Sequence, residues 1–402
     1  MSGEETGRTA AGQGESTQAS MLEAPGLLLI GAAARNAGKT EFACRVLSAA
    51  GQAGTTYSGN VALPWPVVGV KVTTVHEAGG LCPRGGEGCG VCATLDTEWC
   101  ISEETDPART KDTSRLLRAG AAPVYWLRVL EAGLARGAEA LLERLGSSVS
   151  WVCESNRLRL VLEPDLFVLV REPGGGAMKP SAASVASLAD VVVESDGQTF
   201  APAPEEISRL DGAWTIRRDA TAIVLAGGRS TRMGTDKSLM MLDGWPLVSH
   251  VVEQVSRQHT QVRLSARDGE RFGFLGLPIS TDRIAGAGPL VAIASALEDS
   301  RTEWNLVVPC DMPKVPARLV TKMFRVRDGV DVVVPLSGEH LEPLFALYRK
   351  SCLPAMWDAI RAGERKIIDV FRNLAVRTLP LPSGFLLPNL NTPDEFRKFC
   401  GE

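Results

Sequence analysis

Histidine is scarce in this chain, four in 402 residues, scattered at His76, His250, His259 and His340. They read as structural or solvated side chains, and a reaction that needs no general base suits such a composition. No apolar run approaches the ~20 residues that a membrane span requires, so no membrane partner is expected. Excess positive charge is missing too: the formal net charge is -4. A nucleic-acid surface needs a concentrated basic face, so nucleic acid is not an expected partner. The first two dozen residues lack both a basic n-region and an apolar h-region. Residues 1–24 read as a disordered tail on a cytoplasmic protein. Without a signal segment, the nine cysteines suit reduced thiols or metal ligands better than disulfides.

What is present begins with length. At 402 residues the chain exceeds one ordinary core, and a prior of ~150 residues per domain suggests two or three. PGLLLIGAAARNAGKTEFACRVLSAAG reads as strand, glycine-flanked loop and apolar-periodic helix, the order of a βα unit. Strands are expected at PVVGVKVTTV, SVSWVCES and PDLFVLV, with a helical stretch from Val124 to Leu145 between the first two. TFAPAPEEISRLDGAW breaks the pattern with Pro, Ala and acid, which places a linker at 199–218. Strands resume at TAIVLAGG, QVRLSA, WNLVVPCDMP and VDVVVPLSG, separated by helical LVSHVVEQVSRQ and GPLVAIASALED. The expected fold is α/β in two domains: a P-loop NTPase-like parallel sheet over 25–198, then a Rossmann-like nucleotidyltransferase sheet over 219–402.

The second region carries LAGGRSTRMGTDK, Leu225 to Lys237, directly after a buried strand. Gly227 and Gly228 let backbone N–H groups come close to a bound group. Arg229, Arg232 and Lys237 bring three positive charges into thirteen residues, against the single carboxylate of Asp236. A polyphosphate suits that arrangement. Asp282 precedes a glycine-rich turn with Pro289 placed to start a helix. Asp311 lies just past the strand WNLVVP, at the carboxyl end where open α/β sheets bind ligands. Asn389 and Asn391 precede a Thr-Pro-Asp-Glu helix start, either as ligands or as caps.

LAGGRSTRMGTDK, GAGPL, CDMP, EPLFALY and NLNTPDEF, in this order, resemble the molybdenum cofactor guanylyltransferases, the MobA family, from Ala220 to Glu402. The resemblance implies transfer of GMP from GTP to the terminal phosphate of Mo-molybdopterin, with pyrophosphate released. It places Leu225, Ala226, Gly227 and Gly228 along the bound GTP. Lys237 and Arg232 then meet the phosphates, Asp282 belongs to the nucleotide site, and Asp311 binds Mg²⁺. One departure touches base selectivity: SARDG puts Arg267 where the family often has Asn. Two rival readings remain open. One is a nucleotidyltransferase using CTP or another NTP on molybdopterin or a sugar phosphate; the other is a non-catalytic partner that delivers cofactor.

In the first region, GAAARNAGKT ends in the Gly38, Lys39, Thr40 triplet of a phosphate-binding loop, although Ala33 occupies the position of the first glycine. On that reading Lys39 reaches the β and γ phosphates and Thr40 binds Mg²⁺. Glu154, at a strand end, either supports that metal or is solvated. With GVKVTTVHE and KDTSRLLRAGA, this region resembles the MobB family of GTP-binding adaptors for molybdopterin guanine dinucleotide synthesis. A molybdoenzyme or other cofactor-maturation proteins are the further partners it implies. A Cys-rich insertion at 80–100 spaces Cys82, Cys89, Cys92 and Cys100 as C-x6-C-x2-C-x7-C. These four either wrap Zn²⁺ or an iron-sulfur cluster or are free thiols.

Overall fold

Leu27, Leu28, Leu29 and Ile30 are each 0% exposed, so their strand, Leu22–Ala32, has apolar cover on both faces. In the computed structural model the described residues are 5–6, 21–52, 67–75, 95, 97–147, 149–226, 237–286, 288–390 and 393–399. They divide into two units, with the break between Thr215 and Ile216.

Continuous burial of this kind is what a central parallel strand requires. In the first unit the nine-stranded sheet runs Glu5–Thr6, Trp99–Glu104, Val124–Leu130, Val68–Val75, Trp151–Glu154, Leu22–Ala32, Leu162–Arg171, Val191–Ser195, Phe200–Ala201. From Val124–Leu130 to Val191–Ser195 every pairing is parallel. The strands outside them pair antiparallel. The helix Lys39–Gln52 follows the carboxyl end of Leu22–Ala32, which sets the loop 33–38 at that end of the sheet.

Three expectations are corrected here. The helical stretch from Val124 to Leu145 is a strand, Val124–Leu130, followed by the helix Leu134–Leu145. VYWLRVL is rich in β-branched and aromatic residues, which fit a pleated surface. The helix buries Leu134, Ala138, Leu141 and Leu145, the stripe its 3.6 period makes. Within the expected tail, the strand starts at Leu22, whose N–H donates to the Val161 carbonyl at 2.9 Å, and Glu5–Thr6 pairs with Ile101 and Cys100.

The expected linker is folded structure, up to Thr215 in the first unit and from Ile216 in the second. Phe200–Ala201 extends the sheet, and Ile207–Leu210 pairs with Ala213–Ile216 through Asp211 and Gly212, at φ 49° and 80°. Two central residues at φ > 0 make the tight turn that Asp-Gly favours. Trp214 is 0% exposed; its Nε1 donates to the Gly26 carbonyl at 2.9 Å. Asp165 Oδ2 accepts from the backbone N–H of both Gly26, at 2.9 Å, and Trp214, at 3.1 Å.

In the second unit the central strand is Arg218–Leu225. His259–Ser265 and Trp304–Pro309 flank it, both parallel, with Ile279–Ser280 beyond the first. On the other side Ala346–Arg349 runs antiparallel between Trp304–Pro309 and Val332–Ser337. Alternation along the central strand serves two cores. Ala220, Ala222 and Val224 pack with Val248, Val251 and Val255 of the helix Leu247–Gln258 and with Leu319, Val320 and Met323 of Ala317–Arg325. Ile223 instead joins Leu290, Val291 and Ala294 of Pro289–Asp299 and Met356 and Ile360 of Leu353–Arg361. Among the described residues no helix is long and apolar enough to cross a membrane.

Candidate active site and a second cleft

Three neighbouring strand ends of the second unit are tied by their backbones. Ala226 N–H donates to Ser265 O at 2.8 Å, and Cys310 N–H donates to Leu225 O at 3.1 Å. Asp311 follows immediately, and its own carbonyl accepts Leu390 N–H at 2.8 Å, which brings the C-terminal segment to the same edge. Lys237 opens a short 3₁₀ turn, Lys237–Leu239, and its Nζ stands 3.5 Å from Asp311 Oδ2. Burial holds the Asp311 carboxyl above the ordinary aspartate range, although the Lys237 charge opposes that rise.

Asp282 lies past Ile279–Ser280, at the same carboxyl end of the parallel strands. Burial also raises its pKa, and the nearby charge of Arg267 works against the rise. Beyond it Gly286 and Gly288, at φ 74° and 87°, turn the chain into the helix that Pro289 starts. The Asn389 side-chain oxygen is buried, with no hydrogen-bond partner among the described residues. Gly227, Gly228, Arg229, Arg232, Asp236 and Asn391 lie outside the described residues.

The first unit holds a separate cleft of about 870 Å³, lined by the loop through Gly38, Lys39 and Thr40 and by Lys71, Asp112 and Lys179. Gly38 sits at φ 84°, and a Cβ there would come to 3.1 Å from Phe200 and Ser195. Ala33 is buried, with its N–H donating to Val170 O at 2.8 Å and its carbonyl accepting Lys179 N–H at 2.9 Å. Asn36, at φ 60°, is a second left-handed residue of the loop, beside Gly38.

Glu154 is 0% exposed at the end of the strand Trp151–Glu154. Its Oε2 accepts from Thr40 Oγ1 at 3.1 Å and Lys71 Nζ at 2.8 Å, and lies 3.7 Å from Lys39 Nζ. Among the described residues its Oε1 has no hydrogen-bond partner. Asp112 Oδ2 takes a second bond from Lys71 Nζ, at 2.6 Å. Burial, then the charge of Lys71, brings Lys39 down to about 8, with Glu154 opposing. Burial would lower Lys71 as well, but Glu154 and Asp112 outweigh it and hold that lysine above its ordinary value.

Sequence reasoning assigned no role to Lys71, Asp112 or Lys179. A lysine inside the apolar run VGVKVTTV was a usable signal, since a charge in a buried strand needs a partner. Cys100, one of the four cysteines read either as metal ligands or as free thiols, is 4% exposed within Trp99–Glu104, and Arg128 Nη2 donates to its sulfur at 3.2 Å. Among the described residues no group of three or more His, Cys, Asp or Glu is placed to hold a metal ion. Cys82, Cys89 and Cys92 lie outside them.

A family profile described as a MobA-like NTP transferase domain matches residues 222–377. A probable molybdenum cofactor guanylyltransferase of Pelotomaculum thermopropionicum is 40% identical over 186 residues, which cover 44% of this chain and 91% of the relative. The molybdenum cofactor guanylyltransferase of Vibrio parahaemolyticus is 33% identical over 183 residues, covering 44% of this chain and 93% of that relative. Among solved structures, molybdopterin-guanine dinucleotide biosynthesis protein A from Archaeoglobus fulgidus is 28% identical, with a TM-score of 0.39, covering 44% of this chain and 95% of that one. Since the chain spans nearly the whole length of these curated relatives, it belongs to the molybdenum cofactor guanylyltransferases, a nucleotidyltransferase family.

Proposed function

We propose that the second unit transfers GMP from GTP to the terminal phosphate of Mo-molybdopterin, releasing pyrophosphate and forming molybdopterin guanine dinucleotide. The observation that carries the reading is Lys237 beside Asp311 at the carboxyl ends of the parallel strands. The attacking phosphate monoester has a second pKa of about 6, so near neutral pH it is already mostly a dianion and needs no base. The difficulty is repulsion between two anions, and the chain's task is to position and neutralise them. Lys237 and Arg232 are assigned to the phosphates. Leu225, Ala226, Gly227, Gly228 and Asp282 are assigned to the bound nucleotide.

Asp311 is assigned to Mg²⁺. Its carboxyl is largely desolvated and faces one lysine at 3.5 Å, so a hard cation suits the oxygens that remain. Mg²⁺ is typically held by one or two carboxylates together with substrate phosphates, and one Asp meets that need. When bound, it would neutralise phosphate charge during the transfer.

For the first unit we propose a GTP-binding, MobB-like adaptor over 25–198, extended by the hairpin that ends at Ile216. Lys39 is assigned to the β and γ phosphates, and Thr40 with Glu154 to Mg²⁺. The partnerless Glu154 Oε1, beside the Thr40 hydroxyl, suits a cation or its water shell. A molybdoenzyme or another cofactor-maturation protein would receive the product.

Incubation of the full chain with Mo-molybdopterin, Mg²⁺ and each of the four NTPs, followed by product analysis, tests the main reading. GMP transfer with stoichiometric pyrophosphate is expected. Transfer of CMP instead would move the chain to the rival nucleotide, and no pyrophosphate with any NTP would make it a delivery partner.

A further inference from the structure

The first unit's cleft contains a cation that its own carboxylates leave unmatched. Lys39 and Lys71 share Glu154, and Lys71 also bonds Asp112. Arg45 and Arg115 both bond Glu41, at 3.0 and 2.7 Å. Lys179 lines the same cleft from outside the phosphate loop, and among the described residues no carboxylate pairs with it.

Its backbone is fixed. Lys179 N–H donates to the Ala33 carbonyl at 2.9 Å, which fastens this segment to the start of the phosphate loop. Its carbonyl accepts from Ala182 N–H at 2.8 Å, and Ala182 is 0% exposed. Burial lowers its pKa, and the charged neighbours that act on its side chain, Lys71 and then Arg35, are cations that lower it further. A half-buried ammonium among like charges is unfavourable until an anion joins it.

We propose that Lys179 contacts the terminal phosphate of a nucleotide in the first unit and makes that site select a nucleoside triphosphate over the diphosphate. This rests on reading Gly38, Lys39 and Thr40 as the phosphate-binding loop. The N–H groups of that loop and Lys39 hold the β phosphate, which both nucleotides have, and Lys39 reaches the γ phosphate from the loop side. Lys179, on a segment that follows a different strand, reaches the cleft from another side. A third phosphate adds negative charge for it to meet, and a diphosphate lacks that group. A charge-assisted contact of this kind is worth roughly 1.5–3 kcal/mol, or tenfold and more in affinity.

The test is calorimetric titration of the full chain carrying Lys237→Ala, which weakens the second unit's own nucleotide site. The same chain with Lys39→Ala added gives the background to subtract. The probes are a non-hydrolysable GTP analogue, GDP, and GDP with excess inorganic phosphate, each with Mg²⁺. The expected result is a preference of at least about tenfold for the triphosphate. Lys179→Met should remove it while GDP affinity stays within about twofold, and Lys179→Arg should keep most of it. Free phosphate that tightens GDP binding to the triphosphate level would make the ligand a separate phosphate and overturn the terminal-phosphate assignment. A preference that survives Lys179→Met, or equal weakening of both nucleotides, overturns the proposal and leaves the phosphate-loop reading standing. If neither nucleotide binds above background before Lys179 is changed, both fall together.

Discussion

Both units place a lysine and a carboxylate at the carboxyl end of parallel strands, but they use the carboxylate differently. Glu154 is fully buried and bonded at 2.8 Å to Lys71 and at 3.1 Å to Thr40, with Lys39 at 3.7 Å. Asp311 keeps a fifth of its side chain exposed and holds Lys237 only at 3.5 Å. The first acid already serves as the counter-charge of a cation cluster, so removing it should act on stability as well as on binding. Among the described residues the second makes one loose ion pair, so removing it should act on turnover.

Asp311→Asn gives the strongest version of this contrast. Pyrophosphate release should fall by about 10³-fold or more, with the thermal midpoint nearly unchanged. Near-normal turnover would take the residue out of the mechanism. Glu154→Gln should show the opposite pattern, because breaking a buried charge pair costs about 3–5 kcal/mol. Urea unfolding of the full chain should show an early transition for the first unit while GMP transfer by the second persists below it.

Lys237→Ala should slow transfer by about 10²-fold, whereas Lys39→Ala should leave it within about twofold at saturating GTP and abolish nucleotide binding in the first unit. Equal loss of transfer in both variants would place the first loop in the reaction itself.

The pH dependences should also separate. Lys39 sits at about 8, so anion affinity in the first unit should fall as pH rises through that value. The unfolded chain keeps this proton up to its ordinary value of 10.5 and so binds more protons in between; the Lys39 contribution to stability therefore grows with pH across that window. Transfer by the second unit should instead fail on the acid side, as Asp311 protonates at a pKa raised above 3.8. Titrating binding and transfer on one preparation would show whether these limbs lie on opposite sides of neutrality. The smallest effect is expected from a fragment starting at Arg217, which should keep transfer within about twofold of the full chain.

What the sequence disclosed followed continuity. TAIV and WNLVVP are unbroken apolar runs, and they are parallel strands with Leu225 and Asp311 at their ends. The strand VYWLRVL was hidden because only the short 3₁₀ turn Glu131–Gly133, with one glycine and no proline, divides it from an amphipathic helix. Residues 199–218 misled through composition: Pro, Ala and acid outweighed the alternation around Asp211 and Gly212 that makes a hairpin. Lys71, Asp112, Glu154 and Lys179 are dispersed along the chain, and only parallel crossovers bring them to one cleft. No local pattern announces such a set.

The hairpin ending at Ile216 has a consequence for cleavage. Thr215 is 0% exposed and Ile216 1%, so the boundary between the units falls on buried chain within a strand. Proteases nick exposed loop tips and termini. A protease cut after Gln198, where the composition changes, would take Trp214 away from Gly26 and Asp165 and leave the first unit with an empty slot in its core. The natural scissors for this chain are genetic, and they should cut after residue 216.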